Sequence, residues 1–252
     1  MATDWSNKFG SPTINVMLLR RYPATETRKT QFDVEDAFSL YLNGAQAVPA
    51  SPPPSGATPF QIRYSMQSQK ANLSVSDAAA QLNLSFQNRP NSGLMSPIVK
   101  AAQEMDKLDK ILNTIQFFCS IVLTVHFETK VQDDVLSAVQ ELNRDLCAVP
   151  TSKELSSFSI SRAYEEDGIS RLVEVNQFSG LTFSGPPQQN IMIDSDFWNP
   201  TEFGVALKYE VSSKPQASAP APYLMSSVAM ALKAHAGDDL IKATGFDLGA
   251  ML

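Results

Sequence analysis

Two carboxylates separated by a single residue are the best candidates for chemistry in this chain. Asp194 is the last residue of a predicted strand over 190–194, and Asp196 follows two residues later. Residues two apart on an extended chain point to the same side. Carboxylate oxygens placed in this way can bind Mg²⁺ or Mn²⁺, with Glu202 as the nearest third ligand. The segment is therefore a candidate site of a metal-dependent transferase.

The same segment also fits an ordinary turn, because Asp residues and an Asn-Pro pair such as Asn199-Pro200 favour turns. Enzymes of this kind also need a glycine-rich loop that binds phosphate or a third carboxylate in register. No glycine loop with either spacing occurs in the sequence. We therefore favour the turn, keep the transferase as the alternative, and predict no catalytic residue and no cofactor.

The other reactive side chains do not form a catalytic set. His126 lies on the polar side of a predicted long strand, and Cys119 lies on its opposite side. His235 lies in the last turn of a predicted helix. A hydrolase would also need a Gly-x-Ser-x-Gly turn, which the sequence lacks. Cys119 and Cys147 occupy apolar positions and match no metal-ligand spacing, so we expect buried free thiols.

The composition argues against several classes of partner. A net charge of −6 without a basic run argues against nucleic-acid binding, which needs Lys and Arg to neutralise phosphates. The densest basic segment includes Arg20-Arg21, which we expect in a solvated loop after a strand. No apolar run approaches the ~18 residues of a membrane span, and no secretion signal is recognisable. These features predict a soluble cytoplasmic protein without membrane contact.

The hydrophobic pattern predicts an α+β fold with a mainly antiparallel sheet. A helix-period pattern starts at Ser96-Pro97, where Ser96 would cap the helix, and runs to about Asn113. A strand-period pattern over 115–127 follows at once, and a second helix is predicted over 132–148. These three segments form a central helix–long strand–helix unit.

Strands and one further helix are predicted on either side of this unit. A first strand ends near Tyr22-Pro23, and a short helix after it ends at Gly44. Three alternating segments within 60–87 predict a β-meander, and strands return on both sides of a turn over 165–168. A C-terminal helix is predicted to end at Gly237.

The chain is predicted to form a single domain over 1–252. Two subdomains over about 1–114 and 115–252 are the alternative. The proline-rich stretch 44–59 is expected to be a surface loop, and the Pro/Ala-rich stretch 212–222 is expected to be a linker.

The predicted meander carries a polar face with almost no charge. Its outward positions are Gln61, Arg63, Ser65, Gln67, Asn72, Ser74, Ser76, Asn83, Ser85 and Gln87. An ordinary solvated sheet would explain such a face. A surface that meets another protein is the second interpretation, because contact surfaces are depleted in Lys and Glu.

The scarcity of reactive groups favours a non-catalytic protein that acts through protein–protein contacts. Its polar, uncharged sheet face and its two proline-rich segments suggest a self-associating subunit of an assembly. A small-ligand carrier with a pocket lined by Phe residues is a further alternative, because such a pocket looks like core in a sequence.

The candidate metal site can be tested by thermal unfolding. If Asp194 and Asp196 bind a divalent ion, Mg²⁺ or Mn²⁺ raises the melting temperature, and combining Asp194→Asn with Asp196→Asn abolishes the shift. We expect no shift with either ion, and a change in stability of about 1 kcal/mol in the double variant. A shift of several degrees that disappears in the double variant would contradict the non-catalytic interpretation.

Overall fold

A computed structural model describes residues 12–21, 33, 34, 36, 42–49, 60–66, 70–75, 79–86, 93–112, 118–129, 132–146, 158–180, 202–213 and 224–244. These ranges contain nine strands, namely β1 Thr13–Arg21, β2 Leu42–Pro49, β3 Phe60–Met66, β4 Lys70–Val75, β5 Ala79–Phe86, β6 Phe118–Thr129, β7 Ser159–Glu166, β8 Ile169–Gly180 and β9 Glu202–Ser213. They also contain three long helices, α1 Met95–Leu112, α2 Gln132–Leu146 and α3 Met225–Thr244, and residues 33, 34 and 36 are helical within the predicted short helix. None of these helices combines the length and apolar character needed to span a bilayer.

The nine strands form one antiparallel sheet in the order β2-β3-β4-β5-β1-β6-β9-β8-β7. Strands β3 to β5 are the predicted meander, and α1, β6 and α2 are the predicted central unit. The α+β class is therefore confirmed. Strand β6 lies between β1 and β9, so the predicted long strand is an interior strand of the sheet.

The same order of elements occurs twice along the chain. In each half, a first strand (β1 or β6) pairs with the last strand of a later meander (β5 or β9), and a helix follows that strand (α1 or α3). The second half also has α2 between its first strand and its meander. The two first strands pair with each other at the centre of the sheet, and α1 packs against α3. Strands from both sides of residue 114 thus share one sheet, whereas the domain division itself stays a prediction.

The core lies between one face of the sheet and the three helices. Alternation places Ile14, Val16 and Leu18 of β1 on this face, and all three are buried. Helix α1 adds residues at its own period, which are Leu94, Ile98, Ala102, Met105 and Leu108. The helix begins one residue before the prediction, since the Leu94 carbonyl accepts a hydrogen bond from the Ile98 N–H at 3.3 Å. Ser96, the predicted cap, lies exposed within the first turn.

Helix α3 does not end at Gly237, as predicted, but continues to Thr244. Its buried positions Val228, Leu232, Ala236 and Leu240 keep the helical period across the glycine. Packing of this stripe on the core therefore overrides the local signal for a helix end.

The prediction of a loop over 44–59 is wrong for its first six residues. Leu42–Pro49 is an edge strand paired with β3, so the predicted short helix cannot end at Gly44. Proline is tolerated in an edge strand, and Pro49 is its last residue. Residues 50–59 lie outside the described residues.

Other boundaries differ by a few residues. Strand β6 extends to Thr129, two residues beyond the prediction. The predicted strand residues 115–117 and helix residues 147–148 lie outside the described residues. Ser212 and Ser213, which were predicted to begin a linker, still pair with β6 or β8. The rest of that stretch, 214–222, is not among the described residues.

The turn between β7 and β8 is the two-residue turn Asp167-Gly168. Both residues have positive φ, at 48° and 77°. These values fit a type I′ turn, whose twist matches that of paired strands. The prediction of a hairpin at this position is confirmed.

Alanine substitutions at two glycines are expected to change stability in opposite directions. An alanine Cβ at Gly237 would meet nothing within 4 Å, so Gly237→Ala should stabilise the protein by about 0.5–1 kcal/mol through helix propensity. An alanine Cβ at Gly204 would collide with the Phe127 carbonyl oxygen and lie 2.5 Å from Phe178 Cζ. Gly204→Ala should therefore destabilise the protein by about 1–3 kcal/mol. Urea unfolding measures both changes, and a destabilising Gly237→Ala would show that the helix needs this glycine.

Candidate functional site

The sheet face opposite the helices carries an uncharged region across three neighbouring strands. Strand register places Asn15 of β1 between Ser85 and Thr124, and Met17 between Asn83 and Val122. We call this region the neutral patch and define it as Asn15, Met17, Gln81, Asn83, Ser85, Val122 and Thr124. It combines amides, hydroxyls and two apolar side chains, and it contains no ionisable group.

Hydrogen bonds within the neutral patch orient its amides. Ser85 Oγ donates to Asn15 Oδ1 at 2.6 Å, and Gln81 Nε2 donates to Asn83 Oδ1 at 3.0 Å. Both asparagines thus use their oxygen inside the patch. Among the described residues, neither Nδ2 group donates a hydrogen bond, so both can donate to an incoming partner.

The neutral patch surrounds a shallow depression of about 290 Å³. Its lining includes Asn15, Asn83, Ser85 and Thr124 together with the apolar Met17 and Val122. Such walls can exchange hydrogen bonds with neutral polar groups and cover apolar ones. Without a titratable group they cannot carry out acid–base catalysis.

A cluster of charged side chains on β8 and β9 lies beside the patch on the same face, and its members form ion pairs. Lys208 Nζ lies 2.9 Å from Glu174 Oε2 and 3.3 Å from Glu210 Oε2, and Ser120 Oγ donates to Glu210 Oε1 at 3.1 Å. Burial lowers the pKa of Lys208, but the hydrogen bond that it donates to Glu174 and the charge of Glu210 outweigh this effect and raise the pKa. On the β9 side the patch is therefore bordered by an ion-paired cluster of one lysine and two carboxylates. On the β5 side, Lys70 of β4 lies opposite Ser85 in the strand register.

The predicted site residues are only partly covered by the described ranges. Asp194 and Asp196 lie outside them, and Glu202 is the first residue of β9. Within the described ranges, no group of three or more His, Cys, Asp or Glu side chains is placed to bind a metal ion. The metal site stays a prediction that the structure does not test.

His126 and Cys119 lie on opposite faces of β6, as predicted. Cys119 is a buried free thiol in the core, which confirms that expectation, whereas Cys147 is not among the described residues. His126 is half-buried on the open face, and its ring meets Phe178 edge-on with centroids 5.5 Å apart. The two side chains cannot act together as nucleophile and base.

Arg20 is buried, contrary to the prediction of a solvated loop. Its side chain is 1% exposed, and its Nη1 group donates to the Met105 carbonyl at 2.8 Å and lies 3.9 Å from Asp106 Oδ1. The available signal was parity, because Arg20 continues the inward positions of Leu18 and earlier β1 residues. A cation at an inward position is expected to have a partner inside the protein.

Asp106 connects this arginine to the start of α3. Its Oδ1 and Oδ2 accept hydrogen bonds from the backbone N–H groups of Met225 at 2.6 Å and Ser226 at 3.1 Å. The first N–H groups of a helix have no acceptor within the helix, and a carboxylate also interacts favourably with the positive end of the helix dipole. Asp106 is therefore a structural cap supplied by α1.

A second polar cluster joins α3 to the sheet farther along the helix. Tyr209 Oη donates to Asp239 Oδ2 at 2.7 Å, and Arg171 Nε lies 3.5 Å from the same oxygen. Arg171 also reaches Glu166 at 3.1 Å. The predicted helix end at Gly237 hid this cluster, because it placed Asp239 beyond the helix. Tyr209, Asp239 and Arg171 are all buried, whereas Glu166 is exposed.

Comparisons with known proteins add no constraint on function. No family model, no curated protein and no solved structure matches this chain. The side chains themselves must therefore carry the functional argument.

The Tyr209 hydroxyl predicts how stability depends on pH. Burial and the hydrogen bond to Asp239 raise its pKa above the ordinary value of about 10. Above that pH the unfolded chain loses this proton while the folded protein keeps it, so stability falls by up to about 1.4 kcal/mol per pH unit. Below pH 10 the contribution is fully present.

Tyr209→Phe should remove this part of the alkaline slope. At neutral pH it should also cost about 1–3 kcal/mol, because the Asp239 carboxylate loses its hydroxyl donor. Urea unfolding between pH 8 and pH 11 measures both effects. An alkaline slope identical in the two proteins would contradict the assignment.

Proposed function

We propose that this protein is a non-catalytic, self-associating subunit of an assembly and that the neutral patch is one of its contact surfaces. The observation that carries the proposal is the run of uncharged side chains over β5, β1 and β6. The centres of protein contact surfaces are depleted in charged residues, since burying an unpaired charge is costly.

The chemistry of the neutral patch is complementary to itself. Amides and hydroxyls both donate and accept hydrogen bonds, so a second copy of the patch can pair with the first. The half-buried Met17 provides apolar area at its centre, beside the buried Val122. Two facing patches would bring no like charges together, which makes another copy of the chain a suitable partner.

The patch is also organised before a partner arrives. Its residues lie on hydrogen-bonded strands, and the Ser85–Asn15 and Gln81–Asn83 contacts hold four polar side chains in place. A surface ordered in advance loses less conformational entropy on binding. This favours recognition of a partner of defined shape.

The described reactive groups support a structural role. Asp106 caps a helix, Tyr209 and Asp239 join α3 to the sheet, and Lys208 is paired with two carboxylates. The proposal places the assembly in the cytoplasm, where a reducing environment suits the free thiol of Cys119.

Asn83→Lys tests the proposed contact. A lysine within the patch would bring an unpaired charge into a self-contact on both copies, so we expect self-association to weaken at least about tenfold. Light scattering at micromolar concentrations measures this change. Gln103→Lys, which adds the same charge on the exposed side of α1, is the matched control.

Two outcomes would contradict this proposal. A wild-type mass that stays near 27.5 kDa at all concentrations would exclude self-association. Equal effects of Asn83→Lys and Gln103→Lys would exclude the neutral patch as the contact. Thermal unfolding of each variant establishes that it is folded.

A further inference from the structure

Helix α3 exposes large apolar side chains on the side that faces away from the core. Leu224, just before the helix, is 44% exposed, Met230 is 54% exposed and Ile241 is 42% exposed. The described part of the chain shows no other large hydrophobic side chain this exposed. Since the opposite side of α3 is buried in the core, the helix is apolar on two sides.

The outward residues of α3 repeat at the spacing of a coiled coil. Ser227, Met230, Ala234, Gly237 and Ile241 follow one another at steps of three, four, three and four. We call these five residues the α3 seam. The steps assign Ser227, Ala234 and Ile241 to heptad position a, and Met230 and Gly237 to position d.

Gly237 is unexplained by the packing of its own chain. Glycine inside a helix costs about 1 kcal/mol relative to alanine, yet an alanine Cβ here would meet nothing within 4 Å. A glycine between Ala234 and Ile241 would allow a second helix to approach closely at this point. Close approach of a second helix would therefore explain this glycine, whereas packing within its own chain does not.

The charged residues beside the α3 seam select both the partner and its direction. Lys233 precedes Ala234 at position g, Asp238 follows Gly237 at position e, and both are exposed. In a parallel pair, position g of one helix faces position e five residues later on the other. In such a pair, Lys233 of each copy would face Asp238 of the other copy. An antiparallel pair would bring Lys233 to Lys233 and Asp238 to Asp238.

We propose that the α3 seam binds the same seam of a second copy, in a parallel arrangement about a twofold axis. A seam of two heptads is short, but α3 is already folded against its own core and has no nucleation cost to meet. The proposal rests on self-association and names a second surface for it. The α3 seam lies on the helical side of the sheet, whereas the neutral patch lies on the other side.

Reversal of the two charges tests the pairing. Lys233→Glu and Asp238→Lys should each weaken self-association of the full chain roughly threefold to tenfold at low salt, because each change creates two like-charge contacts. The double variant should restore the wild-type affinity. Lys100→Glu, on the exposed side of α1, is the matched control. Single reversals without effect, or a double variant no better than the singles, would overturn the proposal.

Cysteine cross-linking tests the direction. In a parallel pair, Met230→Cys and Ile241→Cys should each form a disulfide-linked dimer with a second copy of the same variant. An antiparallel pair would link Met230→Cys to Ile241→Cys only when the two variants are mixed. Gln103→Cys is the control for collisional cross-linking. Absence of both homodimeric cross-links would overturn the parallel seam.

The variants separate this proposal from the one made for the neutral patch. Sensitivity to Asn83→Lys without sensitivity to the charge reversals removes the α3 seam and keeps the patch. The reverse result removes the patch and keeps the seam. A wild-type chain that is monomeric at all concentrations overturns the α3 pairing and leaves a helix of another protein as the occupant of the seam.

Discussion

The carboxylate of Asp106 fixes how the second half of the molecule packs on the first. It accepts both N–H groups at the start of α3, and the buried guanidinium of Arg20 lies beside it. Because Arg20 also donates to the α1 backbone, β1, α1 and α3 meet at this point. Once its first turn is held there, the helical period carries Asp239 to the sheet and turns Met230 outward. Both the internal polar cluster and the outer seam depend on this one cap.

Much of the fold could be predicted from local periodicity. Alternation identified β1, the meander and the strands on both sides of the turn at 165–168, and a helical repeat identified α1 and α2, because burial of one face leaves a direct pattern in the chain. The errors arose where a distant contact decided the outcome. Gly237 resembles a helix end until the core contact of Leu240 is known, and Pro49 resembles a loop until β3 is placed beside it.

The candidate site was predicted in part. The sequence indicated an uncharged outward face on the meander, including Asn83 and Ser85 of the neutral patch. It could not add Asn15 or Thr124, because these residues join the patch only through the order β5-β1-β6. Strand order depends on long-range pairing, for which a single sequence contains no direct signal. The same reason explains why Arg20 was mistaken for a solvated residue, since its partner lies 85 residues away.

Placement of α1, α2 and α3 on one face gives the protein two chemically different sides. A self-complementary contact on either side relates two copies by a twofold axis of its own. Two such axes that do not coincide cannot be satisfied together in a closed dimer, and they propagate a row of subunits with alternating junctions. The size of such a row would follow protein concentration, and blocking either junction would leave a dimer. A layer of helices on only one face of the sheet thus gives two different contact surfaces, and two such surfaces allow a polymer to form instead of a closed dimer.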